Sequence, residues 1–188
     1  MATFNDHAKF IETLNAYTSG DIAFDASKAP SGVAISADNR CITQTVSTPG
    51  YKCVYLNKAF PTGTGCHYVE FKILNRGASG RISIGISDGA ASTTASSYPG
   101  HGSCQGSSFF LHDGTGYTGD KTISTGCAGA VTATTIGMLY NSDEKTLTFF
   151  ADGVCVGMTA GADALTADTY YPVVTFYELG NQVAIDDY

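Results

Sequence analysis

Residues 134–158 read TTIGMLYNSDEKTLTFFADGVCVGM, and this stretch decides the fold. Ile136, Met138 and Tyr140 alternate with Gly137, Leu139 and Asn141. That is the period of a strand, where successive side chains point to opposite faces. Asn141-Ser142-Asp143-Glu144 is polar and turn-like. Residues 145–151 alternate again, Leu147 and Phe149 against Thr146 and Thr148. Asp152-Gly153 then predicts a two-residue hairpin, because a type I′ turn needs φ > 0 at both central positions. Residues 154–158 make a third strand. Three strands joined by tight turns form an antiparallel meander, the material of an all-β sandwich.

Outward from the meander the same signal repeats. Strands are predicted at 33–36, 41–46, 51–56, 67–75, 81–87 and 107–112 upstream, and at 171–177 and 182–185 downstream. Residues 81–87 alternate most cleanly: Ile82, Ile84 and Ile86 against Ser83, Gly85 and Ser87. That pattern predicts a half-buried strand. Turn clusters separate these runs. Two long stretches, 88–106 and 113–132, read as irregular loops, where binding function tends to sit. We expect two packed antiparallel sheets with Ile82, Ile84, Ile86, Leu147, Phe149 and Val173 buried. One helix is predicted over 5–17, where Phe10, Ile11, Leu14 and Tyr17 share a stripe. We expect residues 1–20 to pack this helix on a sandwich formed by 21–188.

Composition narrows the function. The chain has 188 residues, long enough to bury about 70% of its unfolded surface without metal or disulfides. Net charge is −7 and the ten Lys and Arg are scattered. Phosphate contacts need a basic face, which argues against nucleic acid. The same acidity gives no reason to expect an anionic membrane. The sequence shows no secretory signal and no apolar run near the ~20 residues a span needs. We therefore expect an intracellular, cytoplasmic protein. The six Cys are widely spaced, with no C-x-x-C, and are expected to be free thiols.

Two motifs match by letter only. Gly85-Ile86-Ser87-Asp88-Gly89 has the G-x-S-x-G form of a nucleophile elbow, but no strand-turn-helix surrounds it. Gly114, Gly116 and Gly119 have dinucleotide-fingerprint spacing, but no helix follows. Glycoside hydrolysis needs two carboxylates about 5–9.5 Å apart, and none of the four Glu has a partner on a confident strand. His7, His67, His101 and His112 do not pair with each other or with Cys at ligand spacing. Of these, His101 alone lies in a loop and is a candidate for function. We expect no catalytic residues, no metal and no cofactor.

Six segments in order resemble the SPRY domain family. Val33-Ala34-Ile35-Ser36 with Asp38-Asn39-Arg40 resembles its early strand and turn. GCHYVEFKI at 65–73, RISIGISDG at 81–89 and YPGHGSCQGSSFFLHDG at 98–114 resemble its next three pieces. The meander and YYPVVTF at 170–176 complete the set. Val69 stands where the family usually has Trp, and Thr134-Thr135 where it usually has Gly-Asp-Val. The resemblance implies a concanavalin-like jelly roll and a stand-alone, monomeric, non-enzymatic adaptor that binds a protein or short peptide through loops at one end. A lectin-like, carbohydrate-binding sandwich is the alternative. By motif position it implies a site made of Thr45, Val46, Ser47 and Thr48, of Tyr98 with His101, and of Tyr177, Glu178, Leu179 and Gly180. Tyr98 and Tyr177 are expected to be exposed, and Glu178 to favour a partner with positive charge.

Overall fold

The computed structural model describes residues 22–47, 50–89, 98–101, 106–118, 121–124, 132–160 and 165–186. The helix expected over 5–17 therefore lies outside the described residues, as do Thr48, Cys104 and Cys127.

Every strand pairing is antiparallel, as the short turns dictate. One sheet holds β1 (Val33–Ile35), β2 (Cys41–Gln44), β5 (Cys66–Asn75), β10 (Thr135–Asn141), β11 (Thr146–Ala151), β12 (Val154–Ala160) and β14 (Gln182–Ile185). Its order is β1-β2-β14-β5-β10-β11-β12. The other holds β3 (Lys52–Tyr55), β4 (Phe60–Pro61), β6 (Ile82–Ser87), β7 (Gly106–Phe110), β8 (Thr115–Thr118), β9 (Lys121–Ser124) and β13 (Thr169–Phe176). Its order is β3-β13-β6-β7-β8-β9, with β4 beside β13. A single 3₁₀ turn, Ala26–Lys28, is the one helical element among the described residues. None of them forms a helix long and apolar enough to cross a membrane.

The meander is β10-β11-β12. Asp152 and Gly153 have φ of 46° and 77°, as a type I′ turn requires. The Asp152 carboxylate reaches back to the start of β10. Its Oδ1 accepts from the N–H groups of Thr134 and Thr135, both at 2.9 Å, and from both threonine hydroxyls. The turn is thereby tied to the strand it follows. Gly137 has its own reason to lack a side chain. A Cβ there would lie 2.2 Å from the hydroxyl of Tyr68, which crosses the strand and donates to Glu70 Oε2 at 2.8 Å.

Between the sheets, Ile82, Ile84, Ile86, Phe109, Val174 and Phe176 meet Ile42, Phe71, Ile136, Met138, Leu147 and Phe149. Phe109 and Phe149 stack across the gap at 5.3 Å. Each of the six residues expected to be buried is fully buried. Three details differ from expectation. β6 is buried on both faces, not half-buried: Ser83 and Ser87 are as inaccessible as the isoleucines. Val173 belongs to a second cluster with Cys53 and Tyr55, away from the inter-sheet core. The stretch 113–132 also contains strands β8 and β9 where an irregular loop was expected. Cys41, Cys66 and Cys155 form no disulfide among the described residues, and Cys53 Sγ lies 3.5 Å from Thr175 Oγ1.

Candidate functional site

The outer face of the second sheet follows from alternation. Ile82, Ile84 and Ile86 point into the core, so Arg81 and Ser83 share the opposite face. In register, Phe176 of β13 sits opposite both Ile82 and Lys52. One step further, Tyr51, Tyr177 and Arg81 become cross-strand neighbours on that outer face, on three adjacent strands. Their spacing is that of strands in a sheet, about 4.8 Å. The Tyr51 and Tyr177 rings lie 4.9 Å apart, and the Arg81 guanidinium sits 5.1 Å over the Tyr177 ring. Phe110 of β7 and Tyr117 of β8 stand on the same face, because Ser83 pairs with Phe110 and Ser108 with Tyr117.

Tyr98 joins the two groups. Its ring lies 4.9 Å from Tyr51, 4.8 Å from Phe110 and 4.9 Å from Tyr117, all in edge-to-face geometry. The exposed His101 stacks on it at 4.7 Å. Edge-to-face packing sets the positive edge of one ring against the negative face of the next. Tyr98 is only 7% exposed, which corrects the expectation of an exposed ring. Burial, reinforced by the Tyr117 hydroxyl, pushes its phenol well above the ordinary tyrosine range. Burial also pushes Tyr51 up. These hydroxyls are therefore neutral donors at physiological pH. Tyr51, Tyr117 and Tyr177 are half-buried, while Arg81 and Leu179 are exposed.

The loop after β13 is fastened on two sides. Glu178 N–H donates to Asn181 Oδ1 at 2.9 Å, and Asn181 Nδ2 donates to the Arg76 carbonyl. The Glu178 carboxylate accepts from Ser79 N–H at 2.7 Å and from the Ser79 hydroxyl. Burial pushes that carboxyl up, but the Ser79 hydroxyl and N–H, with Arg81 nearby, outweigh it and hold it below the usual range. Glu178 thus binds its own protein's 76–79 turn. On the other side, Gly180 N–H donates to the Gln44 carbonyl and Gln44 N–H to the Asn181 carbonyl, both at 2.9 Å. Thr45, Val46 and Ser47 follow directly. Thr45 N–H and hydroxyl both donate to the Gly32 carbonyl, and the Val46 carbonyl accepts from Gln44 Nε2.

Tyr98 therefore connects through Tyr51 to Tyr177, whose loop is hydrogen-bonded to the end of β2. Sequence reasoning missed Tyr51, Tyr117 and Arg81. Tyr51 and Arg81 could have been suspected, since each opens a predicted strand and is in phase with its outer face. His67 and His112 are structural, and His7 lies outside the described residues. His67 stacks on Phe60 at 4.6 Å and shares a 2.7 Å hydrogen bond with Thr64 Oγ1, and His112 lies 3.2 Å from Asp113. No cluster of three His, Cys, Asp or Glu side chains suited to a metal occurs among the described residues.

A family model described as the SPRY domain matches residues 66–186. Among solved structures, the PSpry domain of TRIM65 superposes with a TM-score of 0.68 at 15% identity, over 90% of this chain and 93% of that one. The SPRY domain of human HERC1 gives 0.66 at 19% identity, over 88% and 98%. Stonustoxin gives 0.65 at 16% identity, over 89% of this chain and 27% of the toxin chain. At these identities the structural likeness bears on the fold alone. No curated protein sequence is similar enough to count as a relative.

Proposed function

The chain belongs to the SPRY domain family, and from that premise we propose that it is a non-enzymatic module which grips a partner protein or short peptide at the tyrosine-lined end of its second sheet. SPRY domains are interaction modules, so the remaining question is which surface does the work. One observation carries the reading: Tyr51, Tyr98, Tyr117 and Tyr177 gather on one outer face, each within about 5 Å of the next, with Leu179 exposed beside them. Tyrosine offers a large amphipathic contact at low entropy cost, and binding hot spots are enriched in it. Tyr98 serves as the buried support, Tyr51, Tyr117 and Tyr177 as the contact surface. His101, Leu179 and Gly180 form the rim, together with Thr45, Val46 and Ser47. Glu178 holds its loop in place.

The test is an array of random peptides and an array of glycans, each probed with the purified protein. Peptide binding that falls at least tenfold in Tyr177→Ala and Leu179→Ala, and is unchanged in Val154→Ala on strand β12 of the other sheet, supports the reading. Binding confined to glycans, or peptide binding indifferent to Tyr177 and Leu179, overturns it.

A further inference from the structure

The chain has three arginines, and two of them are occupied. Arg40 donates to the carbonyls of Ile22 and Ile185, and Arg76 to that of Ala133. Arg81 is different. It is exposed, and among the described residues it makes neither a hydrogen bond nor an ion pair. Its described contact is the Tyr177 ring, 5.1 Å beneath the guanidinium. A ring under one face leaves the in-plane N–H groups free, the fork that matches a carboxylate in two parallel hydrogen bonds. The acidic groups nearest it do not take that fork. Glu178 is held by Ser79, and Asp113 lies against His112. The protein carries a net charge of −7; Arg81 lies close enough to help hold the Glu178 carboxyl low, yet its in-plane N–H groups bond to no described acid.

We propose that the partner brings an acidic residue to this patch: an extended segment in which an Asp or Glu carboxylate pairs with Arg81 and an apolar side chain two positions away lies on Tyr177 and Tyr51. Same-face side chains of an extended segment are about 6.7 Å apart. With the carboxylate on Arg81, the next such side chain falls between the two rings, which follow at successive spacings of 5.1 and 4.9 Å. The aromatic row supplies contact area, and Arg81 fixes register and direction. This inference rests on the proposed function of the same face, and it reverses the sign of partner charge expected from Glu178.

The experiment selects a phage-displayed library of random twelve-residue peptides on the wild-type protein and then measures the recovered peptides as synthetic ligands. The expected result is a shared Asp or Glu two positions from an aromatic or aliphatic residue. Changing that acid to its amide should weaken binding to the wild type about tenfold to a hundredfold, and leave binding to Arg81→Ala unchanged. Arg81→Lys, which keeps the charge but loses the fork, should fall between. An Arg81→Glu protein should prefer the peptide carrying Lys at that position. Because the peptide is also varied, the result does not hang on how the protein variants fold. Peptides that depend on Tyr177 but lack an acid, or that bind Arg81→Ala as well as wild type, overturn the charge assignment and leave the binding face standing. Recovery of no peptide, or of peptides indifferent to Tyr177, overturns both.

Discussion

Replacing Tyr98 by Ala tests whether the binding face is built or merely decorated. The ring is 7% exposed and touches four others, Tyr51, His101, Phe110 and Tyr117, at 4.7–4.9 Å. Truncating a buried aromatic to Ala costs about 3–5 kcal/mol, and edge-to-face pairs put this site in the upper half of that range. For a chain of this size each kcal/mol lowers Tm by about 2–4 °C, so a drop on the order of 10 °C is expected in a thermal melt followed by near-ultraviolet circular dichroism. Tyr98→Phe keeps every ring contact and removes only the hydroxyl, and should cost about 1 kcal/mol. Urea titration of the three proteins gives the free energies directly, with m unchanged if all unfold in one step. If Tyr98→Ala melts within 2 or so degrees of wild type, the ring does not support the patch, and the account of Tyr98 as a foundation for Tyr51 and Tyr117 is wrong.

Three further outcomes follow from the geometry. Gly137→Ala should lose about 1–3 kcal/mol by driving a methyl into the Tyr68 hydroxyl, and most of that loss should vanish in a Tyr68→Ala background; additive losses in the double-mutant cycle would rule out the clash. Asp152 is held below the usual carboxylate range by the Thr135 N–H first; burial opposes this, and the Thr134 groups and the Thr135 hydroxyl add to it. A depressed folded pKa means the contribution is complete above the unfolded value near 3.9 and is lost as pH falls through the lower folded value. Wild type should therefore exceed Asp152→Asn in stability at neutral pH, with the gap closing in strong acid; a gap unchanged down to about pH 2 refutes the charge-assisted clamp. All six thiols should titrate under denaturant without reductant. In the native protein the exposed Cys155 should react first, ahead of Cys41 and Cys66, whose thiols burial pushes up. A missing pair of thiols would reveal a disulfide.

Much of the fold was readable one strand at a time. Where apolar residues alternate with polar ones, as at 146–151 and 182–185, the strand appears where periodicity puts it. β8 and β9 were not readable, because Thr, Gly and Ser carry no alternation and their pairing is imposed by the neighbour β7. Ser83 and Ser87 misled for a related reason: small polar residues read as a solvent face, whereas here that face is covered. The site was half-legible. Tyr98 and Tyr177 stand in recognisable segments. The row of Tyr51, Tyr177 and Arg81 exists only through the register of β3, β13 and β6, and nothing local encodes that register.

The sheet order also bears on how such a chain is born. β14 lies between β2 and β5, and β13 lies between β3 and β6, so the last two strands fill the middle of both sheets. Until residues 169–185 leave the ribosome, each layer is two fragments with facing, unpaired edges. Closure then waits on contacts about 140 residues apart, such as Val183 with Ile42, and long-range pairing of that kind is slow. The nascent domain therefore spends most of its synthesis as an open, edge-exposed chain that chaperones must shield. A stop codon placed just before β13 would remove two of the fourteen described strands and leave neither sheet whole.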